Sequence, residues 1–170
     1  MFVVGPKYFL AYVDGVHLDG ESERRLGEYH AKAVRTVLVE GEAWHPVSPR
    51  EVTREGASIR VEFWVPAPPL QLDETQVTNP GNYGFEYFDD GPTPPTIASV
   101  ELDGADAVVI TLTGEPTGAA RVRYAYTGIA GQPGGATTGA RGNLHDSDVT
   151  PSRHGYDLSN WAVHFDEAVP

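Results

Sequence analysis

Residues 57–65 read ASIRVEFWV, and from Ile59 to Val65 every second side chain is apolar. The same alternation returns at residues 108–112 and 122–126. A period of two places successive side chains on opposite faces of an extended chain, so each segment is typical of a strand with one buried face. The three segments predict that the chain is built mainly from β-strands.

Turn-forming residues separate these segments from further strand-like runs at residues 83–88, 97–102 and 160–166. Examples are Asn79-Pro80-Gly81-Asn82 and Asp103-Gly104, whose residue types favour tight reversals of the chain. Short strands at this spacing are typical of an antiparallel sandwich.

One segment, from about Glu21 to Val39, has the spacing of a helix instead. Its apolar residues recur every three or four positions: Leu26, Tyr29, Ala33 and Val37. Asp19 offers an N-cap, and Gly41 stands just past the end. We therefore predict one amphipathic helix, in a chain divided into a helical segment (residues 1–46) and a β-domain (residues 47–170).

Acidic side chains dominate the charge of the chain. It has 24 Asp and Glu against 12 Lys and Arg, a net charge of −12, and no run of basic residues. Such a surface cannot follow a phosphate backbone and is repelled by an anionic membrane. No apolar run approaches the roughly 18 residues that span a bilayer. We therefore expect neither nucleic acid nor a membrane as a partner, and the absence of cysteine excludes disulfides and thiolate metal sites.

Asp14-Gly15-Val16-His17 is the candidate catalytic motif of the chain. It follows an apolar, strand-like run at residues 8–13 and immediately precedes the helix, so a carboxylate and an imidazole lie three residues apart on one turn. This arrangement suits the base end of a catalytic triad. The alternative is that the motif has only a structural role, in which Asp14 forms the turn and His17 packs against neighbouring side chains.

The stretch Tyr12–Leu18, followed by Leu26-Gly27-Glu28-Tyr29, resembles the terminal Asp-x-x-His block of SGNH (GDSL) hydrolases and the helix after it. The resemblance covers about residues 5–40. It implies that His17 would be the base for a serine nucleophile and that Asp14 would orient it. In that family the Gly-Asp-Ser block lies upstream of this motif, and no Gly-Asp-Ser occurs in this chain. The resemblance therefore implies that the chain is not active alone.

The β-domain has a resemblance of its own. The segments 63–66, 82–86, 97–100 and 122–126 look like the bacterial Ig-like sandwiches appended to secreted or particle-borne proteins, and residues 141–166 are similar to tails that follow SGNH domains in bacterial and phage polysaccharide esterases. The expected fold is therefore an antiparallel Ig-like β-sandwich with one N-terminal amphipathic helix.

Together the two resemblances imply a non-catalytic structural or attachment module of a virion or cell surface, of the decoration, tail or glycan-binding type, derived from the tail of a polysaccharide esterase. The alternative is the C-terminal part of an SGNH carbohydrate O-deacetylase whose serine lies on an upstream segment or a partner chain. The expected partners are other protein subunits, in a homo-oligomer or a larger particle, and polysaccharide.

Further candidate residues are aromatic or acidic. Tyr83, Tyr87 and Tyr156 are candidate glycan contacts, and the three tryptophans belong to the same candidate platform, although aromatic residues on strands are more often core. Asp146 and Asp148 have oxygen ligands for calcium but are more often turn formers. We expect no metal and no cofactor. Residues 1–6 lack the basic start of a signal peptide, and the expected location is extracellular or virion-associated.

Overall fold

Nine strands and one long helix make up the regular structure of residues 3–170, the part of the chain that this computed structural model describes. Met1 and Phe2, which entered the argument about a signal peptide, lie outside the described residues. The helix α1 spans Gly20–Val34 and continues as a π-helical segment, Arg35–Glu40. The strands are β1 (Ser48–Glu55), β2 (Ser58–Trp64), β3 (Gln71–Leu72), β4 (Phe85–Asp89), β5 (Ile97–Asp103), β6 (Ala107–Leu112), β7 (Ala120–Tyr124), β8 (Leu144–His145) and β9 (Phe165–Val169).

The strands form two main sheets, in the orders β1-β2-β6-β5 and β4-β7-β9, and a small ribbon of β3 and β8. All pairings are antiparallel. Without the ribbon, these orders correspond to strands A-B-E-D and C-F-G of an immunoglobulin constant-type sandwich. The prediction of a mainly β, antiparallel sandwich with one N-terminal helix is therefore confirmed.

The core of the sandwich lies between the two sheets. Ile59, Val61 and Phe63 of β2 are buried, as their alternation predicts. Phe63 meets Phe165 of the opposite sheet edge to face, with 6.0 Å between ring centroids, and Phe165 stacks on Tyr124 at 5.6 Å. Burial of these apolar faces is the main force that holds the two sheets together.

Two strands differ from the sequence-based expectation. β1 is absent from the prediction because it is an edge strand in which no residue is fully buried, so its sequence has little apolar alternation. The predicted strand at residues 160–166 begins only at Phe165. Residues 158–162 are buried but irregular, because their backbone and side chains bond to a polar network described below.

The helical segment begins and ends close to the predicted residues 21 and 39, although its last six residues, Arg35–Glu40, are π-helical. The Oδ1 of Asp19 accepts a hydrogen bond from the N–H of Ser22 at 2.7 Å, and Gly41 adopts the left-handed conformation, with φ of 74°. Tyr29 and Ala33 are buried on the inner face. Within residues 3–170, no helix is long and apolar enough to cross a membrane.

The N-terminal segment packs on one end of the sandwich, against the B–C connection (residues 65–84) and the F–G connection (residues 125–164). Phe9 stacks on Trp161 with 5.4 Å between ring centroids, and the hydroxyl of Tyr29 donates to the carbonyl of Ser159 at 2.7 Å. One hydrophobic core thus includes residues from both sides of residue 46. The division of the chain at that residue stays a prediction.

The apolar run at residues 8–13 is not a strand. The N–H of Leu10 donates to the carbonyl of Lys7 at 3.0 Å, which closes a turn, and Tyr12 makes an isolated bridge with Leu18. A strand needs a neighbouring strand to pair its backbone, and none of the described strands lies beside this run. Its aromatic side chains pack instead into the F–G connection.

Candidate functional site

Asp14 and His17 form a hydrogen-bonded pair on a tight turn. The N–H of Val13 donates to the carbonyl of His17 at 2.9 Å and closes the turn. The Oδ1 of Asp14 accepts from the N–H groups of Val16 (2.9 Å) and His17 (2.8 Å), while its Oδ2 lies 2.7 Å from Nδ1 of the His17 ring. The structure therefore brings together the two side chains of the Asp-x-x-His motif.

Hydrogen bonding favours the ionised form of Asp14. The N–H of His17, then its ring, then the N–H of Val16 lower the pKa of the Asp14 carboxyl. An ionised Asp14 accepts a proton-bearing Nδ1, which leaves the lone pair of a neutral imidazole on Nε2. This is the tautomer in which a histidine can take a proton from a hydroxyl.

The pair lies open to solvent, with His17 77% exposed and Asp14 55% exposed. Among residues 3–170, no serine or threonine hydroxyl is hydrogen-bonded to the His17 ring. The described chain thus holds a hydrogen-bonded carboxylate and imidazole, and no serine or threonine hydroxyl is bonded to the imidazole. Whether the pair takes part in catalysis stays a prediction.

The three candidate glycan tyrosines lie in different elements of the chain, and their role as glycan contacts stays a prediction. Tyr83 lies in a 3-10 turn with a positive φ of 55°, and Tyr87 follows on β4. The Tyr87 hydroxyl donates to Asp89 at 2.9 Å. Tyr156 lies beside the start of α1, where its hydroxyl donates to Glu21. None of these three rings stacks on another in the described chain, and two of their hydroxyls are already bonded to carboxylates.

The tryptophans have different environments. Trp161 is 1% exposed and belongs to the core, which corrects its place in the candidate sugar platform. Trp64 lies on the outer face of β2 and stacks on His45, with 4.5 Å between ring centroids. Trp44 shares a small cleft with them and donates its Nε1–H to the carbonyl of Val3 at 3.0 Å.

Asp146 is the centre of a buried polar network that the sequence did not reveal. Its Oδ1 accepts from the N–H of Asn160 (2.7 Å) and of Asp148 (3.2 Å). Its Oδ2 accepts from the N–H of Ala67 (3.0 Å) and from Nδ2 of Asn160 (2.7 Å). Burial raises the pKa of Asp146, and these donors oppose that rise. The carboxylate ties the B–C connection, at Ala67, to the middle and the C-terminal end of the F–G connection, at Asp148 and Asn160.

Asp148 connects this network to helix α1. Its Oδ2 lies 2.7 Å from Nζ of Lys32, and both side chains are mostly buried. Burial alone would raise the pKa of Asp148, but hydrogen bonds from Lys32 and Thr150 outweigh it and hold the pKa below its ordinary value.

The candidate calcium ligands Asp146 and Asp148 do not form a metal site in the described chain. Asn143 donates its Nδ2 to the carbonyls of Asp73 (2.7 Å) and Val77 (2.6 Å), while Asp146 and Asp148 bond to protein groups. In residues 3–170 no group of three or more His, Asp or Glu side chains is arranged to hold a metal. These side chains form hydrogen bonds with the backbone of the loops, as the turn-forming alternative predicted.

Comparison with known proteins adds little to this description. No family model matches the chain, and no curated protein matches it either. A solved structure, the N-terminal part of the bacterial S-layer protein SbsC, is similar to 91% of this chain at 12% sequence identity, with a TM-score of 0.44. The match covers 29% of that structure. A similarity this distant carries no argument about function, and the resemblance to SGNH hydrolases rests on the residues quoted above.

Proposed function

We propose that this chain acts as a non-catalytic structural and attachment module of a cell surface or virion, of the decoration, tail or glycan-binding type, derived from the tail of a polysaccharide esterase. One observation carries the proposal: the Asp14–His17 pair is exposed, and in the described chain no serine or threonine hydroxyl is hydrogen-bonded to the His17 ring. A histidine base without an activated serine forfeits most of the rate enhancement of a triad, since the loss of a single oxyanion donor already costs about 10²–10³-fold in rate.

The use of the other polar groups supports the same proposal. The buried carboxylates of Asp146 and Asp148 are bonded to N–H groups and to Lys32, so they hold loops together and have no capacity left for a substrate. The immunoglobulin-type sandwich is a scaffold that serves many attachment proteins. The N-terminal segment packs against its loops, and the resulting unit suits decoration or binding.

Exposed apolar side chains support a role in assembly. On and after helix α1, Val34 is 44% exposed and Leu38 is 76% exposed, and Val39 lies beside them. Apolar side chains that cluster on a surface often mark a protein interface. We propose other protein subunits as the partners of this face, in a homo-oligomer or a larger particle.

A second candidate function is the C-terminal part of an SGNH carbohydrate O-deacetylase, completed by a serine-bearing segment or partner chain. The geometry of the pair favours it, because Oδ2 of Asp14 lies 2.7 Å from Nδ1 of His17 and leaves Nε2 free to act as a base. Residues 8–13 have the sequence of a strand without a partner strand in the described chain. A missing sheet would supply both a neighbour for that run and a serine for His17.

Hydrolysis of p-nitrophenyl acetate and of O-acetylated oligosaccharides separates the two functions. For the chain alone, we expect no activity above that of a His17→Ala variant. The matched control is His30→Ala, an exposed histidine on α1. Activity that is lost in His17→Ala and kept in His30→Ala would overturn the non-catalytic proposal.

The second candidate is tested by co-expression with a serine-bearing SGNH segment encoded next to this chain. If the two copurify, and if activity then depends on both the serine and His17, the chain is part of a deacetylase. If the segment neither copurifies nor gains activity from the wild-type chain, the second candidate is wrong.

A further inference from the structure

An open groove of about 980 Å³ lies beside the Asp14–His17 pair. One wall is the N-terminal segment at residues 9–16, and the other is residues 131–138 of the F–G connection. Its volume falls within the range of about 300–1,000 Å³ that is typical of small-molecule sites. Asp14 lines the groove, and its carboxylate holds the His17 ring, so the groove reaches the pair.

The two walls are in direct contact. Gly15 has a φ of +82°, and a Cβ at that position would lie 2.4 Å from the Cβ of Pro133. Only glycine permits this approach. The N–H of Thr78, in the B–C connection, donates to the carbonyl of Ala136 at 2.9 Å and fixes the second wall to the sandwich. The groove is therefore a built feature of the fold.

Several hydrogen-bonding groups along the second wall have no partner in residues 3–170. They are the backbone N–H groups of Gly134 and Gly135 and the side chains of Gln132 and Thr137. Gly135 is buried, and buried N–H groups are nearly always paired in folded proteins. These groups are available to a ligand or to water.

The first wall supplies apolar contacts. The Tyr12 ring stands 3.9 Å from the point where a Cβ on Gly134 would lie, and Val13 and Val16 are exposed at the rim. No lysine or arginine lines the groove, and Asp14, its one carboxylate, is already bonded to His17. The lining therefore suits an uncharged ligand that has both apolar C–H faces and hydroxyl groups.

We infer that this groove binds a neutral pyranose segment of a polysaccharide. The sandwich, through residues 131–138, then selects the sugar that lies beside Asp14. The inference rests on the proposed glycan-binding function and adds its location and the class of sugar. The groove is lined by none of the candidate glycan contacts Tyr83, Tyr87 and Tyr156, so it is a site separate from them.

The substitution Gly134→Leu tests the inference. Gly134 has no positive φ, and a Cβ there would meet no atom closer than 3.8 Å, so Gly134→Leu fills the groove without straining the backbone. The matched control is Gly128→Leu, in the same connection but outside the groove, where the nearest atom is 3.9 Å away. The probes are xylo-, cello- and mannohexaose, each with and without O-acetyl groups, and binding is measured by titration calorimetry on the full chain.

We expect the wild type and Gly128→Leu to bind at least one probe equally well, and Gly134→Leu to bind it about tenfold or more weakly, a change of about 1.4 kcal/mol or more. Binding that Gly134→Leu leaves unchanged overturns the groove as the site while the glycan-binding function stands. If the wild type binds none of the probes, both the inference and the glycan-binding part of the proposed function are wrong.

Discussion

The hydroxyl of Tyr8 lies 3.2 Å from the hydroxyl of Tyr124, on the central strand of the three-stranded sheet. The Tyr8 hydroxyl donates to the carbonyl of Ala162 at 2.8 Å, and the N–H of Leu144 donates to the Tyr124 oxygen at 2.9 Å. Burial raises the pKa of both tyrosines, so both hydroxyls are uncharged. We call this set of hydrogen bonds the tyrosine relay. It joins the N-terminal segment, the sandwich and the F–G connection in one chain of hydrogen bonds.

Removal of the Tyr8 hydroxyl should destabilise the protein. We expect Tyr8→Phe to lower the free energy of unfolding by about 1–2 kcal/mol, because the buried carbonyl of Ala162 loses its donor. Urea denaturation followed by tryptophan fluorescence measures the change. Tyr126→Phe is the control, since Tyr126 is exposed and its hydroxyl has no partner in residues 3–170. Equal stability of the two variants would show that the relay contributes nothing.

The Asp146 network predicts a larger effect. Asp146→Asn keeps the shape of the side chain but points an amide NH₂ at groups that are themselves donors. We expect a loss of about 3 kcal/mol in unfolding free energy, as for a buried polar group left without partners. Asp106→Asn serves as the control, because the Asp106 side chain is partly exposed and lies 3.8 Å from Arg50, and a pair that water reaches contributes about 0–1 kcal/mol. A loss below that of the control contradicts the role given to Asp146.

The ion pair between Lys32 and Asp148 predicts a pH dependence. Because the folded-state pKa of Asp148 is lowered, its contribution to stability is fully present above the ordinary carboxyl value of about 3.9. That contribution is lost as the pH falls through the folded-state pKa. Unfolding free energies of the wild type should therefore fall more steeply below about pH 4 than those of Asp148→Asn.

The exposed pair of Arg35 and Glu40 gives the control for that experiment. Glu40→Gln should leave the acid limb of the stability curve as it is in the wild type, because exposed pairs contribute little. If Asp148→Asn and Glu40→Gln give the same acid limb, the buried pair is not the cause of the pH dependence.

Two leucines on the same helical segment test which face is internal. Leu26 packs against the core, whereas Leu38 is exposed. We expect Leu26→Asp to cost about 2–4 kcal/mol of unfolding free energy, because it places a carboxylate against apolar side chains. Leu38→Asp should change stability by less than about 0.5 kcal/mol. Instead, it should reduce association with any partner subunit, measured by light scattering. If Leu38→Asp is less stable than Leu26→Asp, the internal and external faces of the helix have been assigned wrongly.

The regular elements were largely predictable from sequence, and the loops were not. The alternation from Ile59 to Phe63 and the cap at Asp19 are local signals, and each fixes its own element. The stack of Phe9 on Trp161 joins residues far apart along the chain, which no local period reports. Residues 142–146 are buried although they are mostly polar, because Asp146 finds its donors in two other segments.

The N-terminal aromatic side chains have consequences for synthesis. Tyr8 bonds to a residue 154 positions later in the chain, and a ribosome that adds about 5–20 residues per second needs about 10–30 s to cover that distance. During this interval Tyr8 and Phe9 have left the exit tunnel while Trp161 has not yet been made. The nascent chain therefore carries an uncovered aromatic stretch that a chaperone can hold, and this stretch packs only after residues 161 and 162 have been made.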